Sequence, residues 1–183
     1  MAVHVFADKG IGEAVHKDLA AAAGVSVATT FHYFPTRQDL VDMVLTEVGR
    51  FLIEDFVEPR VARTDESGAD AIRSMIISFS KAIDDFDQYV HVWMQWSAAA
   101  KQDCWPAYRE FHRATVSKIG DLVSRGIQDG SIGEGVCPEL AGEMIMGCAR
   151  VVAQMKFSGS SNAQILGLVD SFVSGYLSGG ITG

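Results

Sequence analysis

The chain has 183 residues, 48% of them apolar, and a formal net charge of -8 at pH 7. That apolar content can fill a core and excludes a disordered tail, while the acidic balance excludes nucleic-acid binding by bulk electrostatics, so any DNA contact must be local. Cys104, Cys137 and Cys148 match no paired metal or redox spacing and read as free thiols of a reducing compartment, with the cytoplasm as the expected location.

Apolar residues recur at helical spacing, period-2 alternation is absent, and no run approaches the ~20 residues of a membrane span, so the expectation is an all-α protein of roughly nine segments with no membrane partner. Residues 1–9 resemble the last turns of a helix whose beginning lies upstream. A short alanine-rich helix over 15–23 turns Leu19 inward and ends at Gly24. Ser26 caps a second helix that runs to about Phe34, where Pro35 closes it, with Phe31 and Phe34 expected to face inward. Thr36, with Asp39 three residues on, starts a longer helix whose stripe of Leu40, Met43, Val44, Val48, Phe51, Leu52 and Phe56 makes it the natural connector between two halves.

After a polar stretch over 60–68 come Ile72, Met75, Ile76, Phe79 and Ile83, then an aromatic-rich helix with Tyr89, Trp93 and Trp96. A long helix starts near Pro106, which is tolerated in a first turn because its missing N–H would be unpaired there. Two further helices, 138–157 and about 161–178, are separated by a tight Gly/Ser turn that suits an antiparallel hairpin. Gly147 and Val151 on the first, with Leu166, Val169, Phe172, Val173 and Tyr176 on the second, are the expected homodimer interface, because apolar residues of the second helix extend around more than one face.

The pair of short helices joined by Gly24-Val25-Ser26 has the pattern of a helix-turn-helix, and its second helix presents Ser26, Val27, Ala28, Thr29 and His32 on one side. A recognition helix needs small outward residues, so that the backbone can approach the base edges, and only a few polar groups. On this basis residues 1–46 are expected to form a helix-turn-helix DNA-binding domain, and 47–183 a helical domain that dimerises.

The stretch Phe31-His32-Tyr33-Phe34, followed by Arg37 and Leu40, resembles the TetR-family DNA-binding domain. GVSVATTFHYFPTRQDLVDMVL, and VWMQWSAAAKQDCWPAY in the second half, are similar to its branch of quorum-sensing master regulators of the LuxR/HapR/SmcR type. The resemblance implies that Ser26, Val27, Ala28 and Thr29 face the major groove of a double-stranded operator and that His32 contacts base or phosphate. Tyr33, Thr36 and Arg37 would hold the phosphate backbone, which sets register while base contacts set sequence preference. His32 departs from the Asn of related regulators. The resemblance also implies a C-terminal pocket for a small apolar ligand within 47–183, with Phe51, Met75, Phe79, Trp93, Tyr108, His112 and Cys148 as candidate lining, and a basic arm ahead of the first helix, disordered or deleted.

Residues 1–50 carry Lys9, Lys17, Arg37 and Arg50 against Asp8, Glu13, Asp18, Asp39, Asp42 and Glu47, a poor balance for neutralising phosphates. That balance supports an alternative, a helical small-molecule-binding protein with a degenerate DNA-reading head. An enzyme is the other rival class: Gly10-Ile11-Gly12 is a lone Gly-x-Gly, Ser158-Gly159-Ser160 lacks a nucleophile-elbow context, and no residue set for turnover is visible. The five histidines form no pair at metal-ligand spacing, so neither metal nor cofactor is expected.

Overall fold

In the computed structural model, which describes residues 1–178, every regular element is helical. In chain order these are α1 (Ala2–Lys9), α2 (His16–Ala23), α3 (Val27–Tyr33), α4 (Arg37–Leu52), a π-helical turn (Ile53–Val57), α5 (Glu58–Val61), α6 (Gly68–Ser97), α7 (Trp105–Gln128), α8 (Pro138–Phe157), α9 (Asn162–Phe172) and a closing π-helical turn (Val173–Leu177). No helix among the described residues is long and apolar enough to cross a membrane.

The helix ends follow local chemistry. Gly24 takes a left-handed φ of 65° and Val25 N–H donates to Ala20 O at 3.1 Å, the bond of a Schellman end that the missing Cβ makes inexpensive. Ser26 Oγ accepts from Thr29 N–H at 3.1 Å and so starts α3. Thr36 and Asp39 cap α4 reciprocally: Thr36 N–H donates to Asp39 Oδ2 at 2.8 Å, and Asp39 N–H to Thr36 Oγ1 at 3.1 Å. Two details differ from the sequence-based expectation. The polar stretch after the connector begins with helix α5, and the two helices expected over 68–97 are one, broken at Phe86 where φ is -131° and ψ 35°.

The chain divides into two compact units, 1–51 with 86–111, and 52–85 with 112–183. The first unit therefore takes in more than the expected 1–46 domain. In it, Phe6, Leu40, Val44, Leu45, Val48, Val92 and Trp93 are buried. Gln95 ties the corner after α1, accepting from Ile11 N–H at 3.0 Å and donating to Ala7 O at 3.3 Å. In the second unit, Ile72, Ile76, Ile119, Leu122, Ile145, Val152, Ile165 and Leu177 make the core. Lys156 pairs with Asp84 at 2.7 Å and Arg73 with Asp170 at 2.7 Å across its surface. Met144 is exposed, because Ile145 and Cys148 take the inward face of that turn of α8.

Candidate nucleic-acid interface

α3 has only seven residues, and one polar group marks the side that faces in. Thr30 is buried, its hydroxyl donating to Val27 O at 2.8 Å, so the opposite side of the helix is left to solvent. Ser26, Val27, Ala28, His32, Tyr33 and Thr36 are exposed, and Thr29 is partly so. All the proposed base-reading positions thus lie on or beside one accessible surface, with Tyr33 71% exposed. The His32 and Tyr33 rings meet edge to face with centroids 5.4 Å apart. Ser26 and Thr29 hydroxyls share a hydrogen bond of 2.8 Å, which holds both side chains at the start of the helix.

Phe31 corrects the sequence-based expectation, since it is 49% exposed rather than turned in. It stacks on the ring of His16, centroids 3.9 Å apart and planes 11° from parallel. His16 is itself buried at the start of α2, and its Nε2–H donates to Phe34 O at 2.7 Å, clasping the far end of α3. Sequence reading passed over His16. The available signal was its position three residues before Leu19, on the same inward stripe of α2.

Arg37 lies differently from a free phosphate contact. Its Nε–H donates to Ala14 O at 3.0 Å and its Nη2–H to Ile11 O, so the guanidinium locks the corner between α1 and α2 onto the start of α4. Hydrogen bonds from a charged donor contribute about 1.5–3 kcal/mol, and truncation would leave two part-buried carbonyls without a partner. Arg37→Ala is therefore expected to cost about 2 kcal/mol of stability even without DNA, with Arg37→Lys recovering less than half because an ammonium cannot make the fork. Chemical denaturation of the free protein checks this, and an unchanged midpoint for Arg37→Ala would leave phosphate binding as the side chain's sole task. Beside it, the hydroxyl and N–H of Thr36 hold the Asp39 carboxyl below its ordinary pKa, keeping it an anion that serves the cap.

The seven candidate ligand-lining residues fall in both units. Phe51, Trp93 and Tyr108 are buried in the first, where Phe51 packs on Tyr89 at 4.4 Å and Tyr108 on Trp105 at 5.0 Å between centroids. Met75, Phe79 and Cys148 are buried in the second, Phe79 meeting Phe56 edge to face at 5.7 Å. His112, also in the second, holds Glu143 Oε2 at 2.8 Å, so part of its hydrogen-bonding capacity is satisfied by α8. Burial pushes the Cys148 thiol up to about 11, which leaves it protonated and unreactive at neutral pH. Among the described residues no three His, Cys, Asp or Glu side chains converge on a metal position.

Of the interface candidates, Gly147, Val151 and Leu166 are exposed and Phe172, Val173 and Tyr176 are half-buried. Val169 is 0% exposed within its own chain and is a core residue, because α9 turns it with Ile165 onto its own unit. Sequence reading missed Leu140 and Met144, both exposed, which with Gly147 and Val151 form one stripe at intervals of three and four along α8.

A clasped pair of short helices presenting a small-residue face, carried on an otherwise helical chain, defines a helix-turn-helix DNA-binding protein. Residues 1–44 match the model of the bacterial regulatory proteins of the tetR family. The HTH-type transcriptional regulator LuxR of Vibrio harveyi is 30% identical over 174 residues, an alignment covering 94% of this chain and 83% of LuxR. Two solved structures share the fold: a TetR-family regulator from Agrobacterium tumefaciens, with a TM-score of 0.80, 15% identity and coverage of 94% of this chain and 92% of that one; and the regulator FadR of Bacillus subtilis in complex with stearoyl-CoA, with a TM-score of 0.75, 22% identity and coverage of 97% and 95%. The chain belongs to the TetR family of bacterial regulatory proteins and is a transcriptional regulator.

Proposed function

We propose that this regulator works as a ligand-responsive homodimer that reads an imperfect palindromic operator, with residues 1–46 as the reading domain and 47–183 as the ligand-binding and dimerisation domain. The observation that carries the reading is the exposed face of α3, in which Val27 and Ala28 are small enough for close approach and His32 supplies a polar reach. Two copies set one groove turn apart would read two half-sites, which is why the operator is expected to be palindromic. The exposed stripe of Leu140, Met144, Gly147 and Val151, continued by Leu166 on α9, supports pairing through α8 and α9. The stearoyl-CoA held by the Bacillus regulator supports an apolar ligand here, and the likeness to LuxR supports a quorum-sensing role. A ligand would alter DNA binding only to the extent that it favours one arrangement of the dimer over another.

The test is binding to a labelled imperfect palindrome and to scrambled DNA at one fixed salt concentration, because phosphate-driven affinity depends steeply on salt. Preference for the operator by about a thousandfold is expected, with His32→Ala lowering that preference by roughly tenfold. Equal binding to both DNAs would favour the alternative to which the acidic balance of residues 1–50 points, a helical ligand-binding protein with a degenerate head.

A further inference from the structure

We propose that a cleft in the first unit, between the start of α4 and the turn 98–104, is an oxyanion-binding site whose cationic lining residues are Lys101 and Arg37. The cleft has a volume of about 320 Å³ and is lined by Ile11, Gly12, Arg37, Gln38, Val41 and the run Lys101, Gln102, Asp103, Cys104. Sites for small molecules start at about 300 Å³, so there is room for more than a bare ion.

Three features give the cleft its sign. Arg37, one of the lining residues, is held by the carbonyls of Ile11 and Ala14, which take Nη2 and Nε, while Nη1 makes no hydrogen bond within the described residues. Lys101 is exposed and has no ion-pair partner among the described residues. It rises from a turn held by Gln102 N–H on Ala99 O at 2.9 Å and Trp96 Nε1–H on Cys104 O at 3.1 Å, so its backbone is fixed. The third feature is the N-terminus of the 16-residue α4, whose first two residues, Arg37 and Gln38, both border the cleft, its dipole offset in part by the capping carboxylate of Asp39. Opposing them is Asp103, which lines the same cleft, with Asp42 close enough to act on Cys104. Lys101 and Arg37 against one lining carboxylate, Asp103, favour an anion, and the acidic neighbours keep the affinity modest. Cys104, buried at the cleft and pushed up by that burial, supplies a neutral wall.

The oxyanion has two sources of the same chemistry, a phosphate of bound DNA or the carboxylate or phosphate of a free small molecule. Only the first rests on the operator-binding reading above. The test uses the full chain and two arms. In the first, inorganic phosphate is titrated against chloride at matched ionic strength while the amide resonances of Gly12, Gln38 and residues 101–104 are followed by NMR. Saturable shifts are expected, with Lys101→Ala weakening them by about fivefold. In the second arm, the dependence of operator affinity on salt is compared for the wild type and Lys101→Ala. A slope lower by about one identifies DNA phosphate as the source, and an unchanged slope with phosphate saturation intact identifies a small anion. No phosphate response beyond chloride together with an unchanged slope overturns the proposal. A wild type that does not prefer its operator would overturn the operator-binding reading instead, and the first arm would still decide the cleft.

Discussion

Replacing Gly68 with alanine should lower the melting temperature by roughly 10 °C, an effect out of scale with the single methyl group added. A Cβ at this position would lie 2.3 Å from both Cα and N of Gly126 and 2.8 Å from Leu122 O. These are backbone atoms in the last two turns of α7, so no side chain can swing aside, and the two helices must separate there. Separation strains a local network as well: Gly68 N–H donates to Asp129 Oδ2 at 2.8 Å, Ala69 N–H to Ser131 Oγ at 3.1 Å, and Asp129 Oδ1 accepts from Ser131 N–H at 2.9 Å. Overpacking that forces backbone shifts costs up to about 3 kcal/mol, and about 2–4 °C per kcal/mol is usual for a chain of this length. Gly12→Ala is the control, since nothing lies within 4 Å of the Cβ it would add, and its melting temperature should stay within about 2 °C of the wild type. Thermal unfolding followed by circular dichroism compares the three proteins, and a Gly68→Ala melt that overlays the control would show that the contact is not made as described.

The helix-turn-helix was legible because its signals are local. Gly24, Ser26 and the Thr36–Asp39 pair each act within four residues, and every one of them does in the structure what its chemistry predicts. The orientation of α3 was less legible, because seven residues make fewer than two turns and periodicity cannot separate Thr30 from Phe31 as the inward group. The choice is settled by His16, fifteen residues upstream of Phe31, which offers a ring to stack on and a donor for Phe34 O. Arg37 illustrates a different limit. A guanidinium serves a phosphate oxygen or a main-chain carbonyl equally well, and only tertiary structure brings Ile11 and Ala14 to it. Val169 failed for a related reason: an apolar helix with several apolar faces does not say which one its own core will take. The cleft at Lys101 was beyond sequence reading altogether, since its two cations are brought together from α4 and the turn after α6.

The substitution expected to act most strongly on DNA is Ala28→Glu. Ala28 is the second residue of α3 and exposed, so its methyl group is all that stands between the helix backbone and whatever the surface docks against. A longer side chain there holds the helix away from the base edges, and its carboxylate faces the phosphates that supply the sequence-independent part of binding. Loss of operator affinity by at least about a hundredfold should follow, equivalent to removing one to two good base contacts and adding a repulsion. The same substitution cannot be dismissed as damage to the fold. A carboxylate in the first turn of a helix interacts favourably with the unpaired N–H groups and the dipole by about 0.3–1 kcal/mol, so the melting temperature should hold or rise. The two readouts therefore move in opposite directions if α3 is the recognition helix. A variant that melts as the wild type does and still binds the operator within a few fold would mean that DNA is read elsewhere, and the exposed face of α3 would need another partner.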